Sequence, residues 1–339
     1  DHRNSFNQVL MTIDMKQRRH SKPMGWAIVS CAMLLTWSAQ GQQLSRQSQF
    51  VQNPFLVNPA FAGTELGTFA SLSHREQWVG FHGAPSTSNV TVTTSLPNRF
   101  GLGFVVERDD QGGAYTRTGL ELSGTYTIDL NNQDAVAFGI GLMGRNTRFD
   151  GSDLQLWDMD DPAITGAVES SFAFDSRFGL MVFGEYYQFG FAVSNLLQTP
   201  LGLDSEPTTT RNRGVRHYAL TGRYDYKLDA SWTVQPALMM RFTEITPIQL
   251  DLHARALYQN RYWGGLGFRQ GDALVMTVGA AFQDIQVGYS YDAGTGAVGN
   301  LSPNTHEITV SYVLPRQGAG FSRRGLGGRL LDRNLIIRN

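Results

Sequence analysis

Cysteine is nearly absent: Cys31 is the only one in 339 residues, so no intrachain disulfide framework is available. Charge is scarce as well. Asp, Glu, Lys and Arg make up 17% of the chain, against about 25% in an ordinary soluble protein. The net charge of −1 lacks the basic footprint of a nucleic-acid partner. Beyond residue 41, no run supplies the roughly 20 apolar residues that a transmembrane helix needs. The nearest candidate, 179–197, is broken by Gly184 and Glu185 and alternates on both sides, so it reads as a β-hairpin.

What is present is glycine, with 37 residues, and aromatic side chains at 11%. Glycine relieves crowding on curved strands, and Tyr, Trp and Phe suit a lipid–water boundary. At the start, Lys16, Arg18, Arg19 and Lys22 precede an apolar stretch from Trp26 to Trp37, and small residues Ala39 and Gly41 follow. This is the layout of a secretory signal, with cleavage expected after Gly41. Met15 is the expected initiator, with Met11 and Met24 as alternatives, which makes 1–14 an upstream extension. A lipoprotein box at 28–31 fits less well, because too little apolar sequence precedes Cys31 and too much follows it.

Period-two alternation covers most of the remainder. Leu120, Leu122, Tyr126 and Ile128 oppose Glu121, Ser123 and Thr125. Leu250, Leu252, Ala254 and Tyr258 oppose Asp251, His253 and Arg255. The expected strands are 66–79, 87–96, 99–109, 114–130, 133–148, 171–183, 186–194, 214–228, 231–242, 247–258, 261–270, 272–282, 285–292 and 305–314. A soluble sandwich also alternates, but the connections discriminate. Every second one is short, such as Pro97-Asn98, Gly184-Glu185 and Gln283-Asp284, whereas 80–86, 149–170, 195–213 and 293–304 are long. An even strand count with short turns at one end and long loops at the other is the layout of an outer-membrane barrel. The expected fold is therefore all-β: a transmembrane antiparallel up-and-down barrel of about 14 strands over 66–314. Unpaired backbone groups are costly in hydrocarbon, so such a sheet must close. Glu121, Asp129, Asp175, Arg177, Arg223, Asp225, Asp251, Arg255 and Glu307 are expected in the lumen. Residues 42–65 are expected as a periplasmic segment, with Asn58 to Gly63 lodged under or inside the barrel. Both termini are expected on the periplasmic side.

The sharp catalytic motifs fail. Gly139 to Gly144 matches G-x-G-x-x-G but lies in a strand and opens no helix. His306-Glu307 lacks a second His four residues on, and no G-x-S-x-G elbow occurs. Asp158, Asp160 and Glu169 fit parts of a calcium loop, but Pro162 and Ala163 occupy positions that must supply a ligand and a Gly. A cruder calcium site from Asp153, Asp158, Asp160 and Asp161 is left beside the plainer reading of a solvated acidic loop. No catalytic, cofactor-binding or metal-binding residue is assigned. The basic stretch 315–339 reads as a disordered periplasmic tail, with docking on an acidic partner or inner-leaflet surface as the sharper alternative.

Two segments carry a resemblance: "FVQNPFLVNPAFAGT" at 50–64 and "REQWVGFHGAP" at 75–85. They resemble the PorP/SprF family of the type IX secretion and gliding machinery of Bacteroidetes. The shared positions include Asn53, Pro54, Asn58, Pro59, Ala60, Phe61, Ala62 and Gly63, then Arg75, Gln77, Trp78, Val79, Gly80, Phe81, Gly83, Ala84 and Pro85. Later segments at 101–113, 262–269, 287–292 and 305–312 follow in family order, so the likeness spans about 50–314. It implies an outer-membrane barrel that exports or retains surface proteins such as gliding adhesins, in contact with cargo C-terminal domains and periplasmic machine subunits. A channel for small solutes is the alternative. By physics alone, two Asn-Pro pairs should hold an extended or turning chain, and Trp78 and Phe81 should flank the first outer loop. Those motif residues either seal the barrel or touch cargo.

Overall fold

The computed structural model describes residues 46–64, 67–131, 133–151, 168–200, 213–295 and 304–314. The expected signal segment, the expected acidic loop around Asp158 and the expected tail from 315 lie outside them. Strands follow wherever period-two alternation persists: β1 Thr68–Glu76, β2 Ser86–Ser95, β3 Phe100–Asp110, β4 Tyr115–Asp129, β5 Ala135–Asp150, β6 Val168–Phe183, β7 Tyr187–Ser194 and β8 His217–Tyr224. There follow β9 Tyr226–Lys227, β10 Trp232–Thr243, β11 Gln249–Tyr258, β12 Tyr262–Arg269, β13 Ala273–Phe282, β14 Ile285–Gly294 and β15 Asn304–Leu314.

Apart from β8 and β9, which both pair with β10, each strand pairs antiparallel with its chain neighbours, and β15 returns to β1 in register from Thr68 opposite Leu314 to Glu76 opposite His306. The sheet is thus closed. β8 and β9 are one stave interrupted at Asp225, so the described residues form a 14-strand antiparallel barrel. The sequence suggested one unbroken strand there. The last residue before the interruption, Tyr224, falls in register with Pro236 of β10, which has no N–H to give the ladder; pairing resumes at Val234 opposite Tyr226.

The two faces separate as the alternation requires. Leu72, Leu122, Leu142, Leu266 and Val278 are exposed on the outside. Glu121, Asp175, Arg177, Arg223, Asp225, Asp251 and Glu307 are buried on the inside. Asp129 departs from expectation: it lies at the end of β4, half-exposed, and pairs with Arg99 at 2.9 Å. Aromatic pairs mark both rims. Phe100–Tyr126 and Trp232–Tyr258 lie towards the short-turn end, and Tyr115–Phe149 and Tyr218–Phe242 towards the long-loop end. Rings with one polar edge favour such boundaries.

Residues 46–64 run inside this barrel: Asn58 to Gly63 take the inside position of the two expected, and the run from 46 lies within the lumen as well. Phe50, Phe55, Ala60, Phe61 and Ala62 are buried against the wall. Two short 3-10 helices, Pro54–Leu56 and Pro59–Phe61, shape the strap. Of the extended and turning conformations expected of the Asn-Pro pairs, the turn is the one that forms. Proline occupies the first helical position, where a missing N–H costs nothing, and Asn58 caps the second turn by accepting from the Ala60 N–H at 2.9 Å.

Candidate functional site

The strap is fastened at three levels. At the long-loop end, Ser48 is the hub. Its hydroxyl donates to Asp292 at 2.6 Å and accepts from Arg75 at 2.8 Å and Arg269 at 3.0 Å. The Ser48 N–H donates to Glu307 at 2.7 Å, and the Gln49 N–H donates to the other carboxylate oxygen at 3.2 Å. Arg75 pairs with Asp292 at 2.8 Å and Glu307 at 3.2 Å. Arg269 pairs with Asp251, Asp272 and Asp292. Arg241 reaches Asp251, and Arg46 reaches Asp272, each at 2.8 Å. Four guanidinium groups thus meet four carboxylates. Buried charge is tolerated only when paired and hydrogen-bonded in this way.

At mid-height, Phe50 meets the His253 ring edge to face with centroids 5.0 Å apart. Asn53 donates to the Thr91 hydroxyl at 2.9 Å. Lower down, Arg177 donates to the carbonyls of Leu56 and Val57 at 3.0 and 2.6 Å, while it pairs with Glu121 at 2.7 Å. Asn58 donates to the carbonyls of Leu180 on β6 and Phe191 on β7 at 3.0 and 3.3 Å. Thr125 donates to the Pro59 carbonyl at 2.9 Å.

The wall accommodates the strap because it lacks side chains where the strap presses. A Cβ at Gly139 or Gly179 would collide with Pro59 and Ala60; one at Gly190 would meet Asn58, and one at Gly101 would meet Ala62. Gly103 leaves room for the Phe55 ring. Cavities beside the strap, lined by Phe50, Val51 and Val57 or by Gln52, Arg255 and Trp263, measure 20 and 30 Å³, space for one or two waters. Among the described residues, the strap and the paired side chains around it occupy the part of the lumen that they cross.

The second motif splits in function. Arg75 belongs to the buried latch. The rest shapes the loop between β1 and β2, where Gln77 N–H donates to the Pro85 carbonyl at 2.9 Å and Val79 N–H to the Asn304 carbonyl at 2.9 Å. Phe81 N–H donates to Trp78 and Ala84 N–H to Phe81. Gly80 and Gly83 adopt φ of 99° and 72°, values that favour glycine. Trp78, Val79 and Phe81 are exposed at the crown of this braced loop. The expected sites therefore form two groups: Asn53, Pro54, Asn58, Pro59, Ala60, Gly63 and Arg75 in the strap and latch; Gln77, Trp78, Gly80, Phe81, Gly83 and Pro85 in the outer loop. Sequence reasoning missed Ser48, Arg269, Asp272 and Asp292, and the glycine lane of Gly101, Gly139, Gly179 and Gly190.

A family model described as the type IX secretion system membrane protein PorP/SprF matches residues 39–312. No curated protein matches the sequence. Among solved structures, the CymD monoaromatic hydrocarbon channel is 11% identical, with a TM-score of 0.48 over 82% of this chain and 96% of its own. The toluene transporter TbuX of Ralstonia pickettii is 11% identical, with a TM-score of 0.45 over 76% and 92%. BamA from Haemophilus ducreyi lacking POTRA domains 1–3 is 9% identical, with a TM-score of 0.41 over 73% and 70%.

Proposed function

Because the chain belongs to the PorP/SprF family of type IX secretion system membrane proteins, we propose that it is a sealed, non-catalytic docking barrel for export and surface attachment of specific cargo such as gliding adhesins. The strap inside the lumen carries this reading. Fixed to the wall by Ser48, Asn58 and Arg177, it stands in the path a polypeptide would take, so on this reading work in secretion falls to the two ends of the barrel. The long-loop end presents Trp78 and Phe81 on a rigid frame, suited to hold cargo C-terminal domains. Exposed aromatics on a braced loop make good anchors because little side-chain entropy is lost on binding. The short-turn end, where β15 finishes at Leu314, then faces periplasmic machine subunits.

The test is affinity purification of the full-length, detergent-solubilised protein from its native cells, with mass spectrometry. Cargo C-terminal domains and periplasmic subunits are expected to co-purify, and the double variant Trp78→Ala/Phe81→Ala to lose the cargo but keep the subunits. Retention of cargo by that variant contradicts the loop's role. A solute channel, the competing function, would instead conduct ions in planar bilayers.

A further inference from the structure

The strap has a direction. Arg46 pairs with Asp272, in the turn between β12 and β13. That turn lies at the same end as the loops after β1, β5, β7 and β14, since strands alternate up and down. Ser48 touches Arg75, one residue before the end of β1, and Arg269, the last residue of β12. The strap then descends past His253, Thr91 and Leu180. At Gly63 it reaches Thr94 and Gly101, beside the short turn between β2 and β3. β15 finishes at Leu314 opposite Thr68, also at the short-turn end. Residue 46 and residue 314 therefore lie at opposite ends of the barrel.

We propose that the strap threads the outer membrane from outside to inside, placing residue 46 at the cell surface beside the Trp78 and Phe81 loop. The inference rests on the outer-membrane reading, in which short turns face the periplasm. The amino-terminal end of the strap is then an outward-presented element of the cargo-facing surface, not part of the periplasmic docking face. Passage of the strap is coupled to barrel closure. Through Ser48 and Gln49 it binds Arg75 on β1 and Glu307 on β15, on both sides of the closing seam. The strap end is thus held in place by the same contacts that join the first and last strands.

Single cysteines report the topology in the full-length protein, labelled on intact cells with a membrane-impermeant thiol reagent. Three positions are compared: Gln47→Cys in the strap, His82→Cys in the loop after β1, and Ala230→Cys in the short turn before β10. Arg46→Cys is a second strap position, and labelling in detergent sets the full signal for each. The expected result is near-complete labelling at 47, 46 and 82 on intact cells, and at 230 only after permeabilisation. Labelling at 82 with protection at both 46 and 47 until permeabilisation overturns the threading while leaving the outer-membrane reading intact. Labelling at 230 with protection at 82 overturns the orientation on which the inference rests.

Discussion

Asn58→Ala removes three hydrogen bonds in one step: two donated to the Leu180 and Phe191 carbonyls and one accepted from the Ala60 N–H. Each such bond contributes about 0.5–1.5 kcal/mol net, and a buried donor left without a partner costs about 1–3 kcal/mol. Ala60 is fully buried, so its N–H is the group left orphaned. Together these put the destabilisation of strap docking at about 2–4 kcal/mol. Since about 1.4 kcal/mol is tenfold, the undocked population should rise roughly thirty-fold to a thousand-fold. Hydrogen exchange by mass spectrometry on peptides covering 53–64 reads this directly. Exchange in that segment should accelerate by the same factor, while peptides from β4 and β5 keep their wild-type protection. Asn58→Asp should be at least as damaging, because it keeps the cap acceptor but points a carboxylate at two carbonyls. Wild-type exchange in the strap of both variants would refute the claim that Asn58 holds it.

Other perturbations probe separate parts of the account. Gly179→Val should leave a folded barrel but displace the strap, because its side chain needs the space of Asn58 and Ala60; limited proteolysis of the strap in detergent measures this. Arg75→Ala leaves Glu307 without a guanidinium partner, while Asp292 keeps Arg269, a loss of about 3–5 kcal/mol for a broken buried pair. It should lower the temperature at which the barrel loses its compact electrophoretic mobility, and Arg75→Ala with Glu307→Gln should recover part of the loss. Leu142→Arg places a charge on the lipid face and should cost about 2–4 kcal/mol near the midplane, read from folding equilibria in vesicles. In the short turn after β4, hydrogen bonds from Asn131 and then Tyr187 hold the Asp134 carboxyl below its ordinary value. That turn's stabilisation is present above the ordinary carboxylate range and is lost as pH falls through the lowered value, which an NMR titration of Asp134 can follow.

Much of the barrel was legible in the sequence because lipid and lumen impose opposite chemistries on successive residues. Leu120 and Leu122 around Glu121, or Leu250 and Leu252 around Asp251, identify face and strand together. The alternation of short and long connections supplied the order of strands and the two ends. The break at Asp225 was less visible, since its cause lies in Pro236 on the next strand and acts only through pairing. The strap was legible as a motif but not as a path. Asn-Pro pairs mark a special backbone, yet nothing local says that Ser48 sits among Arg75, Arg269 and Asp292, which come together only through the register of β1, β12 and β14. The wall glycines illustrate the same limit. Gly139 looked like a failed nucleotide motif, while Gly179 and Gly190 looked like ordinary strand glycines. Their common purpose appears only when β5, β6 and β7 are placed side by side under Pro59 and Ala60.

The central claim is that residues 46–64 seal a barrel closed in lipid. Electrical recording of the purified full-length protein in planar bilayers tests it most directly. A silent membrane for the native chain, with steady conductance once Asn58→Ala or Gly179→Val frees the strap, is the result this structure requires. Sustained ohmic conductance from the unmodified protein would contradict it.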